Sequence, residues 1–179
     1  MKGYIENIIV VEGKADVAYL SSFIDAEFVI TNGYEIPKEE IGYLNEVGKN
    51  QKVLILVDPD EAGRDIENRL IKQLNNYECL KVEISKCNRG VKNGIAECDK
   101  EEILRVLKPY IIDKKIEKPH QKRHFLGEIN FLDKNFRDFF SKKYHLGKCN
   151  LKKINVRIDR LNIDNEKLLN AWREYHENR

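Results

Sequence analysis

In the stretch LILVDPDEAG, Leu54 to Gly63, four apolar residues run straight into two aspartates split by a proline. In extended backbone, residues two apart point the same way, so Asp58 and Asp60 can face one ion together. Pro59 fixes φ and removes a donor between them, and Gly63 lets the next turn come close. A third acid, Glu12, directly follows another apolar run, Ile8 to Val11. Carboxylates a few ångströms apart repel, and one must protonate unless a cation removes the repulsion. Mg²⁺ suits one or two carboxylates together with waters and phosphate oxygens, and Mn²⁺ can take its place. Zinc would want His or Cys, and none accompanies these acids. The plain alternative is a solvated turn, because Asp, Pro and Gly are ordinary loop residues.

A fourth acid, Glu97, ends the Gly-containing loop CNRGVKNGIAE, residues 87–97, in which Arg89 and Lys92 could meet a phosphate. A first-turn acid favoured by the helix dipole is the competing reading of Glu97. Asp16 and Asp65 also fall in first turns, where capping explains them at least as well as chemistry does.

The elements that must position these acids alternate between two periods. NIIVV (7–11), EFVIT (27–31), KVLILV (52–57) and LKVEI (80–84) are apolar runs of strand length. Between them Val17, Leu20 and Ile24, then Ile41, Leu44 and Val47, then Ile66, Leu70 and Leu74 recur at helical spacing. Asp99 with Glu102 three residues on predicts a capping box opening a further helix. Strands alternating with helices predict an α/β fold, a parallel sheet with helices on both faces. Ligands gather outside the carboxyl ends of such strands, where Glu12, Asp58 and Asp60 stand.

Beyond residue 112 the strand signal ends. Residues 113–123 are charged, contain Pro119 and read as a linker between a domain at 1–112 and a small all-helical one at 124–179. There Phe125, Ile129, Leu132, Phe136, Phe139 and Phe140 keep a helical period. After Gly147, Leu151, Ile154, Ile158 and Leu161 make a second stripe, and Leu168, Trp172 and Tyr175 a third. On the middle helix, Lys152, Lys153, Arg157 and Arg160 are expected opposite the apolar stripe, a cationic face suited to RNA. The competing reading is a solvated lysine face.

Charge divides the same way. Residues 1–110 carry 15 Lys and Arg against 20 Asp and Glu, whereas 111–179 carry 17 against 10. An acidic body with a basic tail predicts an acid-dependent site joined to an anion-binding surface. No apolar run approaches the roughly 18 residues of a membrane span, so no membrane partner and a cytoplasmic location are expected. Four irregularly spaced cysteines without a CxxC pair predict free thiols.

VEGKAD and DPDEAG, each after an apolar strand, together resemble the Toprim family of topoisomerases, primases, recombination-repair proteins and small nucleases. Glu12 and Gly13 match its strand-end Glu-Gly, Thr31 and Gly33 its central turn, and Asp58, Asp60 and Gly63 its DxDxxG signature. The resemblance implies Mg²⁺ at Asp58 and Asp60, with Glu12 as a further metal ligand or general acid/base in breaking a phosphodiester. IIVVEGKADVAYL, ITNGYEI and VLILVDPDEAG resemble in particular the ribonuclease M-five family of endonucleases, which pair a short Toprim domain with a small basic helical domain. That implies catalytic roles for Glu12, Asp58, Asp60 and Glu97, and precursor 5S ribosomal RNA as substrate. The implied protein partner is the large-subunit ribosomal protein that binds 5S RNA. Lys14, Arg89, Lys92, Lys148, Lys152, Lys153, Arg157 and Arg160 are the expected RNA contacts. A Toprim enzyme acting on DNA and a non-catalytic nucleic-acid binding module are the alternatives.

Overall fold

The computed structural model describes residues 2–31, 33, 36–87, 94–112, 129 and 131–177. The expected linker at 113–123, and Phe125, lie outside them. By contacts the chain divides into two compact units, Met1–Ile36 with Gly48–Ile116 and Pro37–Val47 with Glu117–Arg179.

The first unit contains β1 (Gly3–Ile5), β2 (Ile9–Val11), α1 (Lys14–Ser21), β3 (Ile24–Asp25) and β4 (Phe28–Ile30). After α2 (Lys38–Gly48) come β5 (Val53–Ile55), α3 (Glu61–Ile71), β6 (Tyr77–Cys79), α4 (Lys100–Leu107) and β7 (Ile111–Ile112). The main sheet has the order β4-β2-β5-β6 and is parallel throughout. A smaller sheet, β3-β1-β7, pairs β1 parallel to β3 and antiparallel to β7. The fold is therefore the expected α/β arrangement. β2 and β5 are buried along their whole length, which suits the centre of a parallel sheet covered on both faces. Ile9 and Val11 join Leu54, Leu56, Leu20 and Ile103 in one apolar cluster.

Three local expectations are corrected. The fourth strand is β6, not residues 80–84. Leu80 donates to the Ile55 carbonyl at 2.8 Å as the last such bond to β5, and the chain then turns into a 3₁₀ segment at Ile84–Lys86. Asp99 stands at the N-cap of α4 without a side-chain capping bond. Glu102 instead accepts the Glu83 N–H at 2.7 Å and pairs with Arg105, so no capping box closes. Cys87 and Cys98 are not free thiols but a disulfide. Asp99 N–H donates to the Lys86 carbonyl at 2.8 Å, and this chain reversal sets residues 87 and 98 opposite one another. Cys79 and Cys149 are free.

The second unit contains α5 (Lys134–Lys143), α6 (Leu151–Arg160) and α7 (Asn165–Glu177). It also takes residues 37–47, nearly all of α2, which the sequence places inside the first domain. Its core gathers Phe136, Phe140, Ile154, Ile158 and Leu168. Phe136 meets Trp172 edge-on at 4.8 Å between centroids. Leu132 is exposed in the turn before α5 rather than on its apolar stripe.

Arg157 overturns its expected place on the cationic face, for it is fully buried. It stands three residues after Ile154 and four before Leu161, so helical geometry brings it to the apolar side. Its guanidinium forks onto Glu40, Nη1 to Oε1 at 3.1 Å and Nη2 to Oε2 at 2.7 Å. It also donates to the Leu146 carbonyl and lies 3.8 Å over the Tyr43 ring. Gly147, at φ +67, passes so close that a Cβ there would lie 2.5 Å from Arg157 Nη1. The Lys148 backbone N–H completes the shell of Glu40 at 3.0 Å.

Breaking one half of a buried pair leaves an uncompensated charge. Arg157→Met is expected to lower the unfolding free energy by about 3–5 kcal/mol, and Glu40→Leu with Arg157→Met to recover most of that loss. Urea denaturation of the single and double variants measures both.

Candidate active site

Strand order sets the site. From β2 the chain goes to β4 on one side, while β5 lies on the other, so the carboxyl ends of β2 and β5 flank the topological switch point. Pairing continues past both strands. Leu56 N–H donates to the Val10 carbonyl at 2.9 Å, and Thr31 N–H to the Val11 carbonyl at 3.0 Å. Glu12 and Asp58 thus emerge side by side. The Asp58 backbone N–H donates to Glu12 Oε1 at 2.9 Å.

Three more acids are each held by an N–H of a neighbouring turn. Asp58 Oδ1 accepts from Ile95 N–H at 2.7 Å. Asp60 is the N-cap of α3 and accepts from Gly63 N–H at 2.8 Å. Asp16, in the first turn of α1, accepts from Gly13 N–H at 2.8 Å, which bears out its capping role. Two glycines make the approach possible. A Cβ on Gly63 would lie 2.0 Å from the Asp58 carbonyl oxygen and 2.9 Å from Glu12 Oε1. A Cβ on Gly94 would lie 2.5 Å from Glu97 Oε2 and 3.2 Å from Asp58 Oδ2. Glu97 and Asp58 therefore converge on the same small space.

The electrostatics report the crowding. Burial, then the charges of Glu12, Asp16 and Asp60, push the Asp58 carboxyl up to about 7 against the pull of the Ile95 N–H. Burial also raises Glu12, aided by Asp60 and Asp16, and raises Asp16, aided by Glu97. The structure thus brings Glu12, Asp58, Asp60 and Glu97 together and adds Asp16. By sequence Asp16 reads as a cap, although its place four residues after Glu12, one helical turn on, is a signal for the site. The oxygen-only donor set fits a hard divalent cation. Among the described residues no group of three or more His, Cys, Asp or Glu side chains is arranged to hold a metal ion. The fit is therefore to an ion held by one or two carboxylates, with waters and phosphate oxygens completing its shell. Lys14 is exposed on the first turn of α1, whereas Arg89 and Lys92 lie outside the described residues.

Residues 7–87 match the Toprim domain. That segment, a little under half of the chain, resembles the Toprim family. The chain is 34% identical to ribonuclease M5 of Mycoplasma genitalium over 104 residues, 58% of each chain. With ribonuclease M5 of Mycoplasma pneumoniae the identity is 28% over 160 residues, 89% of this chain and 90% of that one. The likeness thus runs through the helical unit as well as the Toprim domain. Both of these relatives are named as ribonucleases. A small Toprim domain protein from Bacillus stearothermophilus superposes with a TM-score of 0.47 at 22% identity, covering 59% of this chain and 85% of that one. Among the described residues no helix is long and apolar enough to cross a membrane.

A raised carboxyl binds its proton more tightly in the folded state, so its contribution to stability is present at low pH and lost as pH rises. For Asp58 that loss runs from the unfolded value near 3.8 up to about 7. Without divalent ions, Asp58→Asn is expected to be more stable than wild type above pH 7, with the gap closing towards pH 4. Thermal melts in EDTA across that range test it.

Proposed function

We propose that the chain is a Mg²⁺-dependent endoribonuclease that cuts double-helical precursor 5S ribosomal RNA. The observation that carries this reading is the contact of Glu12 with Asp58 across the ends of β2 and β5, with Asp16, Asp60 and Glu97 around it. It is supported by the names of the relatives, ribonucleases M5, whose likeness extends over both units. Mn²⁺ is expected to substitute for Mg²⁺. The large-subunit ribosomal protein that binds 5S RNA is the proposed protein partner, and the cytoplasm the proposed location.

When bound, a divalent ion would polarise the scissile phosphate and relieve the repulsion among the acids. Asp58 and Asp60 are the proposed ligands, and Glu12 a further one or the proton carrier. Glu12 suits proton transfer because its pKa is raised and one of its oxygens is already fixed by the Asp58 N–H. Glu97 faces Asp58 across Gly94 and is the proposed fourth catalytic acid. Gly94 keeps carbon away from the space between Glu97 and Asp58, where a phosphate must enter.

The second unit supplies cations. Lys148, Lys152 and Lys153 are exposed, and Arg160 is half-buried. Duplex RNA is read mainly through shape, phosphates and 2′-hydroxyls, which such a surface, without an exposed Phe, Tyr or Trp among the described residues, can do. Arg157 has no part in it.

Asp58→Asn is expected to lower Mg²⁺-dependent cleavage of a precursor 5S transcript by at least about a hundredfold while RNA affinity holds or tightens. Gel assays of cleavage and binding measure the two separately, and equal loss of both would count against this division of labour. Duplex DNA run alongside separates an RNA enzyme from a DNA one. Lys152→Ala with Lys153→Ala is expected to weaken RNA binding and to flatten the dependence of log K on log salt by roughly one for each lysine replaced. Titration at several salt concentrations reads that slope.

A further inference from the structure

Beside the carboxylates lies an open groove of about 180 Å³ that Asp58 itself helps to line. Its wall runs from Arg64 and Glu67 on α3 to Lys81, Val82 and Ile84 in the segment after β6. The two cations in this wall differ in their ties. Lys81 pairs with Glu67 at 2.5 Å, the carboxylate well buried and the ammonium largely exposed. Arg64 is exposed on the first turn of α3, and its guanidinium has no ion-pair or hydrogen-bond partner among the described residues. Arg64 thus shares the groove with Asp58 without being bonded to it. Ile84, half exposed at 51%, places a large apolar side chain at the same rim.

These features answer a problem that the acids create. A polyanionic strand approaching Asp58 meets negative charge first, and an ion at the reacting phosphate compensates only that phosphate. The neighbouring one needs a cation of its own, and Arg64 offers a planar fork suited to phosphate. The groove is smaller than the roughly 300–1,000 Å³ of pockets that enclose a free ligand. It is open, so it suits one sugar-phosphate unit of a chain that continues outside.

We propose that this groove is the subsite for the nucleotide flanking the scissile phosphate, with Arg64 holding that nucleotide's phosphate and Ile84 its sugar. Glu67 is a positioning residue that keeps Lys81 at the rim. The assignment rests on the nuclease reading above and adds to it where the strand lies.

The test uses the full chain, a precursor 5S transcript and two readouts. Binding is measured in EDTA across a range of salt, and cleavage with Mg²⁺ at steady state. Arg64→Ala is expected to raise Kd and KM about tenfold and to reduce the salt slope by about one, with kcat held within about twofold. Arg64→Lys should restore the slope, because it restores the charge. Arg64 is exposed on a helix and Ala is the better helix former, so the melting temperature should not fall. Unchanged Kd, KM and slope in an active protein would overturn the subsite and leave the nuclease reading standing. A loss of kcat at constant KM would also overturn it, placing Arg64 on the reacting phosphate instead. A wild-type protein that neither binds nor cuts the transcript would remove both readings together.

Discussion

Negative charge packed at the ends of β2 and β5 is the constraint around which the first unit is arranged. Five carboxyl groups share one end of a buried sheet, where repulsion and desolvation both favour their neutral forms. The backbone answers them. Glu12 takes the N–H of Asp58, Asp58 that of Ile95, Asp60 that of Gly63 and Asp16 that of Gly13. Three separate segments of chain are thereby tied through acid oxygens. This network holds the acids in place while leaving Asp58 with a proton affinity near neutrality. A divalent ion arriving there would displace protons that the fold holds only weakly at neutral pH.

The two glycines complete that arrangement in opposite ways. Gly63 belongs to a regular helix, and its lack of a Cβ serves closeness alone, since the Asp58 carbonyl occupies the space a side chain would need. Gly94 leaves room between two carboxylates whose oxygens would otherwise touch carbon. Both sit next to acids, as expected where backbone must approach a site closely.

Much of this is legible in the residues. Continuous apolar runs in β2 and β5 announce a parallel sheet, and the acids directly after them announce its carboxyl edge. Features set by distant partners are not legible. Asp99 and Glu102 have capping-box spacing, yet Glu83 and Arg105 claim the glutamate, so local pattern yields to tertiary bonding. Cys87 and Cys98 lack a recognised spacing, and only the chain reversal at Lys86–Asp99 brings them together. Arg157 misleads because a cation next to an apolar stripe reads as surface by composition. Its angular position, between Ile154 and Leu161, argues for the core, and the partner that makes burial tolerable lies 117 residues upstream. Asp16 shows the converse, a cap by local geometry that also stands among the site acids.

The pairing of Arg157 with Glu40 and Tyr43 also bears on how such a chain can change over generations. The segment that receives the arginine is translated between β4 and β5, in the middle of the α/β half. The helical half is therefore not a cassette that a gene could gain, lose or exchange in one cut at its 3′ end. Any replacement tail would need its own answer to a carboxylate and a phenol ring encoded far upstream. The two halves are bound to diverge as one lineage.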